Sequence, residues 1–147
     1  SKPNESHISE FITKGCGCFL AAGYPYKIPP VDESKAYAVN VHPAYLPFAR
    51  GLMPIPRIIL DGAEEAAGLS AHKMTEIYDD GDILRQIKFA LSPAETPETY
   101  MAKIAMRAPQ MLQEIFADLP QHWKAAKPQN RKKATLFAPP TEQERLL

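Results

Sequence analysis

The sequence predicts an α/β domain, and three observations predict it. Short apolar runs with aromatic or β-branched residues recur along the chain and stop at prolines or acidic turns, as strands do. Segments with helical starts or helical spacing lie between and after them, the longest opened by Thr96-Pro97-Glu98. Polar side chains collect where one such strand ends, the place where open α/β sheets hold ligands.

The elements follow in order. After Ser1-Lys2-Pro3-Asn4 a helix is expected from His7 to Lys14, then a strand over Cys16-Gly17-Cys18-Phe19-Leu20-Ala21-Ala22. Pro25, Pro29 and Pro30 break the next stretch into a loop. Lys35-Ala36-Tyr37-Ala38-Val39 reads as a buried strand running into Asn40-Val41-His42-Pro43. Asn40 and His42 are two apart, so on a strand their side chains leave on one face, and Pro43 and Pro47 end the strand beyond them. Pro54 to Leu60 reads as a helix closed by Asp61-Gly62, with Arg57 and Asp61 on its wetter side.

Leu69–Met74 and Ile83–Leu91 read as strands on either side of Glu76-Ile77-Tyr78-Asp79-Asp80-Gly81-Asp82. By itself that acidic run is a turn, with Gly81 as the residue needing positive φ. Thr96 caps the last clear helix and Pro97 occupies its first position. Tyr100, Ile104, Met111, Leu112, Ile115 and Phe116 follow its apolar spacing, and Pro109 should kink it. Residues 124–147 turn polar and proline-rich and are expected to form an extended tail lying on the domain.

At 147 residues and 45% hydrophobic composition, the chain is one domain able to bury a core. Its zero net charge excludes a global pull towards nucleic acid or anionic membrane. Arg131-Lys132-Lys133 reads as a solvated stretch. No apolar run approaches the roughly 20 residues of a membrane helix. Cys16 and Cys18 read as strand residues without a mutual disulfide, and no second ligand pair supports a metal, so a reducing, cytoplasmic setting is expected.

Singly, an Asn at a strand end is a turn former and a His a structural residue. Together, an amide donor, an imidazole and a carboxylate suit chemistry at a carbonyl carbon. Asn40-Val41-His42-Pro43-Ala44-Tyr45-Leu46-Pro47 with Arg50-Gly51, and Asp79-Asp80-Gly81-Asp82-Ile83-Leu84 at the matching distance, resemble the paired segments of folate-dependent formyltransferases. Gly68 to Met74, Lys127-Pro128-Gln129 and Ala134 to Pro140 extend the resemblance to the C-terminus.

The resemblance implies a formyltransferase-like Rossmann-type sheet, mostly parallel and flanked by helices. It also implies that 1–147 is the C-terminal two-thirds of one catalytic domain, truncated at its N-terminus. The first strand would then be an exposed apolar edge, covered by upstream sequence or by a homodimer partner. Asn40, His42 and Asp79 take the places of the catalytic trio. Asp80 stands where the family has threonine, and two adjacent acids could raise the pKa of one. Position favours Asp79 as the working carboxylate.

The resemblance further implies transfer of a formyl group from 10-formyltetrahydrofolate to a primary amine, with no metal. Asn40 and a protonated His42 would hold an oxyanion, while Asp79 keeps His42 charged and takes a proton. The pterin would sit on backbone groups of Tyr26, Lys27 and Ile28 and of Thr75, Glu76, Ile77 and Tyr78. His72 stays outside the catalytic set. The acceptor is expected to be a small-molecule amine rather than a nucleic acid, since no added basic domain follows; Arg50 or Arg57 could meet one phosphate. Two other functions fit the same residues: a hydrolase delivering the formyl group to water, and a non-catalytic relative serving as a binding or dimerisation module.

Overall fold

The computed structural model describes residues 2–145, and its centre is a four-stranded sheet in the order β1-β2-β3-β4. The strands are β1 (Cys18–Ala22), β2 (Tyr37–His42), β3 (Gly68–Lys73) and β4 (Ile83–Lys88). The α/β class holds, but the sheet is mixed rather than mostly parallel. β1 and β2 run parallel, whereas β2–β3 and β3–β4 are antiparallel. The reason lies in the connections: a tight acidic loop joins β3 to β4, and so short a link permits only an antiparallel pair.

Helices close the sheet. Asn4 caps α1 (Glu5–Thr13), its side chain accepting from the His7 N–H while the His7 ring accepts from the Asn4 N–H. α2 (Pro54–Leu60) begins with proline in its first turn. α3 (Pro97–Ala117) is capped by Thr96 and continues through Pro109. Tyr100, Met111 and Ile115 of α3 are buried and Ile104 and Leu112 pack beside them, whereas Phe116 stays 40% exposed. α4 (Leu119–Lys124) and α5 (Glu142–Arg145) follow. No helix of the described residues is long and apolar enough to cross a membrane.

Alternation along β2 and β3 divides their side chains between two environments. Val39 and Val41, with Leu69 and Ala71, enter the apolar core beside Tyr100, Met111 and Ile115. Asn40 and His42, with Ser70 and His72, lie on the other face. The antiparallel register sets Asn40 opposite His72 and His42 opposite Ser70, so each pair shares that face.

Two buried hydroxyls tie the end of β2 to its neighbours. Tyr100 Oη accepts from the Gly68 N–H at 2.9 Å and lies 3.1 Å from the Pro43 carbonyl and 3.0 Å from that of Gly68. Ser70 Oγ donates to the Ala44 carbonyl at 2.7 Å and accepts from the Leu46 N–H at 3.0 Å.

β1 forms one edge of the sheet, with Leu20 45% exposed on it and Phe11 of α1 54% exposed nearby, edge-on to Phe19. Beyond α4 the chain returns across the domain. Lys127 bridges to Ile83 and Leu136 to Arg50, while Arg131–Lys133 forms one 3₁₀ turn between them.

Candidate active site

The structure brings Asn40, His42 and Asp79 together at the carboxyl end of β2, and it adds His72. His42 Nδ1 lies 3.4 Å from Asp79 Oδ1, and His72 Nε2 lies 3.6 Å from the same oxygen. Asn40 Nδ2 is 3.1 Å from His72 Nε2. His42, His72 and Asp79 are buried; Asn40 is half-buried.

Hydrogen-bond partners fix where the protons sit. Main-chain carbonyls only accept, so His72 donates its Nδ1–H to the Lys73 carbonyl at 2.8 Å. Its Nε2 is then the acceptor for the Asn40 amide, which keeps a second N–H free of that bond. His42 likewise donates Nε2–H to the Ala49 carbonyl at 2.8 Å, leaving Nδ1 to face Asp79.

Burial works against the protonated His42 that the resemblance implies. Burial pushes its pKa below the ordinary 6.5, outweighing the nearby Asp79 charge that pulls the other way. A neutral ring with its proton on Nε2 therefore presents a bare Nδ1 to a carboxylate oxygen. The two acceptor atoms hold between them a place for one proton.

Asp79 remains ionised. Burial opposes its charge, but the His72 and His42 imidazoles when protonated, and the Gly51 N–H, which donates to Oδ2 at 2.9 Å, outweigh burial and hold its pKa below 3.8. Asp80 turns elsewhere: it pairs with Arg50 at 2.9 Å and takes both Nε and an Nη of Arg131. Burial works against this charge too, and Arg131 and Arg50 overcome it, so the pKa of Asp80 is also lowered. The expected mutual raising does not occur, because each acid has its own cations or rings. Asp79 is the acid that faces the imidazoles.

The acidic turn is built differently from the expectation. Asp79, not Gly81, has the positive φ, at 56°. Gly81 is required for another reason: a Cβ there would collide with the Lys73 carbonyl. Asp80 also takes up Arg50, and Glu144 with Asp61 takes up Arg57, so both arginines expected to meet a phosphate already have carboxylate partners. Arg131, taken as a solvated charge, is one partner of Asp80.

The two segments expected to hold a pterin also converge. Lys27 Nζ lies 5.7 Å from the centre of the Tyr78 ring, joining the loop after β1 to the acidic loop. Tyr26, Ile77 and Tyr78 are exposed, Ile28 is half-buried, and Thr75 Oγ1 closes a small turn on the Ile77 carbonyl at 2.8 Å. Among the described residues, the N–H groups of Tyr26, Lys27, Ile28, Thr75, Glu76, Ile77 and Tyr78 make no hydrogen bond within the chain. Unengaged main-chain groups beside exposed rings suit a flat heterocycle carrying both donors and acceptors.

His72 was the residue sequence reasoning left out. Its signal was the alternation Ser70-Ala71-His72, which mirrors Asn40-Val41-His42 once the two strands are taken as antiparallel.

A family model described as "Formyl transferase" matches residues 18–116. The methionyl-tRNA formyltransferase of Fervidobacterium nodosum is 33% identical over 99% of the chain, and that of Koribacter versatilis is 31% identical over 92%. These alignments cover 46% and 44% of the two relatives, so the chain spans less than half the length of the curated relatives it matches. Among solved structures, HypX from Aquifex aeolicus in complex with tetrahydrofolic acid superposes with a TM-score of 0.75 over 93% of this chain and 23% of that one, at 20% identity. The formyltransferase PseJ from Anoxybacillus kamchatkensis, in complex with UDP-4,6-dideoxy-4-formamido-L-AltNAc and tetrahydrofolate, gives 0.65 over 80% and 62%, also at 20% identity. At such identities the likeness concerns the fold.

Proposed function

The chain belongs to the formyl transferase family, and on that premise we propose that it carries the formyl-transfer site of an N-formyltransferase. The donor is 10-formyltetrahydrofolate and the acceptor a primary amine on a small molecule. The observation that carries this is the meeting of Asn40, His42 and Asp79 within one cluster of close polar contacts that includes His72. The tetrahydrofolate bound to HypX and to PseJ supports the donor class, and the open main-chain groups of the two converging loops fit it.

When bound, the donor supplies an electrophilic formyl carbon. The chain's own residues do the rest. Asn40 is oriented by His72 and directs its remaining N–H at an oxygen gaining negative charge; such a donor typically lowers the barrier by about 2.7–4 kcal/mol. His42 is neutral in the resting site and serves with Asp79 as the proton acceptor. The proton lost by the attacking amine lodges between His42 Nδ1 and Asp79 Oδ1, where it turns a contact between two acceptors into a charge-assisted hydrogen bond, and it is returned to the folate nitrogen as that nitrogen's bond to the formyl carbon breaks. Burial keeps water from competing for that proton.

The test is to incubate the chain with 10-formyltetrahydrofolate and a panel of small amines, following tetrahydrofolate production and formylated product by mass spectrometry. Amine-dependent formylation, lost in Asn40→Ala, His42→Ala and Asp79→Ala, is the expected result. Formate release without amine would make it a hydrolase instead. No turnover with any amine or with water would reject catalysis by this chain.

A further inference from the structure

Asp79 adopts an uncommon backbone conformation, and nothing in its own loop explains how it is kept there. A non-glycine residue at φ 56° sits in the left-handed region, which is held only where its surroundings over-determine it. The surroundings that do so come from the far end of the chain. Gln129 Nε2 donates to the Asp79 carbonyl at 2.7 Å and to the Gly81 carbonyl at 2.8 Å. Its Oε1 accepts from an Nη of Arg50 at 2.8 Å. One carboxamide thus joins both sides of the acidic turn to the loop after β2.

The same segment secures the other partner of Asp79. Thr135 accepts from the Arg50 N–H at 2.8 Å through its carbonyl and from the Ala49 N–H at 2.8 Å through its hydroxyl. The Phe137 N–H donates to the Arg50 carbonyl at 2.9 Å. These bonds hold Ala49, whose carbonyl accepts from His42 Nε2–H, and Gly51, whose N–H donates to Asp79 Oδ2. The neighbours of Asp79 in the cluster are therefore spaced by residues 129–137.

We propose that Gln129 is a positioning residue, clamping the Asp79 and Gly81 carbonyls so that the Asp79 carboxylate stays against His42 and His72. A carboxamide is the side chain this place demands, since it offers two N–H donors to two carbonyls and an acceptor to a guanidinium. Methionine has nearly the same length but offers no donor to either carbonyl, so Gln129→Met breaks the clamp without adding a charge. The catalytic half of this inference rests on the proposed function; the geometric half does not.

The experiment reads the two imidazoles of the whole chain by long-range proton–nitrogen NMR as a function of pH. The charged groups facing them are Asp79 itself, then Asp80 with its partners Arg50 and Arg131. The wild type should show His42 protonated on Nε2 and His72 on Nδ1. Removing the Asp79 charge with Asp79→Asn should lower the His42 titration point, and Gln129→Met should move it in the same direction. Gln129→Met should add nothing in the Asp79→Asn background, because both act through one carboxylate.

In turnover, kcat should fall on the order of 100-fold, the usual effect of a misplacement near 1 Å, with the KM for the folate donor little changed. If Gln129→Met does not fold, Gln129→Ala, which leaves the carbonyls to solvent, should show the same His42 change to a smaller extent. An unchanged His42 titration, or an equal shift in the Asp79→Asn background, overturns the proposal. Absence of turnover in the wild type with the NMR pattern intact would reject the function and leave the clamp standing.

Discussion

Replacing Gly51 by alanine strikes the point where the loop after β2, Asp79 and the C-terminal segment meet. Gly51 has φ 122°, a conformation open essentially to glycine. Holding another residue there costs roughly 1–3 kcal/mol. The new Cβ would stand 2.9 Å from the Phe137 carbonyl oxygen and 3.3 Å from Leu136 Cδ1. The first is closer than real Cβ atoms come, and its partner is backbone, so the segment must give way. For a domain of this size each kcal/mol shifts the unfolding midpoint by about 2–4 °C, and the expected loss is therefore about 2–12 °C. Calorimetry on Gly51→Ala measures it, with Gly17→Ala as control, since a Cβ at Gly17 meets nothing within 4 Å. A Gly51→Ala midpoint within one degree of wild type would refute the argument that this loop is locked by the returning chain.

Tyr100→Phe leaves the buried Gly68 N–H without its oxygen and should cost about 1–3 kcal/mol in denaturant unfolding; a neutral effect would mean the hydroxyl does not tie β3 to Pro43. His42, Asp79 and Asp80 all have folded-state pKa values below their ordinary 6.5, 3.8 and 3.8, so each stabilises the fold above that value and ceases to as pH falls through the folded one. Stability should decline with acid from near pH 6.5 and more steeply below about 3.8, and urea titrations at successive pH values that stay flat from pH 7 to 5 would contradict the His42 assignment. Asn40→Ala should lower kcat by roughly 100- to 1,000-fold in the formyl-transfer assay, and a loss confined to KM would reassign it from barrier lowering to simple binding.

Much of the fold was legible because local chemistry wrote it. Pro54 and Asp61-Gly62 bracket α2, and Thr96-Pro97 opens α3 at its observed start. Asn40 and His42 were legible as one face of a strand because the side-chain period of two needs no tertiary knowledge. The direction of pairing was not legible: no residue in β3 states which neighbour it joins, and family likeness suggested mostly parallel strands. With the direction went His72, which meets Asn40 only in the antiparallel register. The pull of burial on His42 was not legible either, since burial is a property of the packed whole. Arg131 looked like one of three solvated cations because its partner, Asp80, lies far away in sequence.

The four polar side chains of the cluster do not share one fate. Asn40, His42 and His72 ride on the two inner strands, whose amides should exchange with solvent only when the whole molecule opens. Asp79 rides on a turn whose main-chain carbonyls are gripped by a side chain from residue 129. On the ribosome, all four strands emerge before that grip exists. A nascent chain can thus have its histidines aligned while its carboxylate is still untethered, and the cluster is complete only after the returning segment has docked.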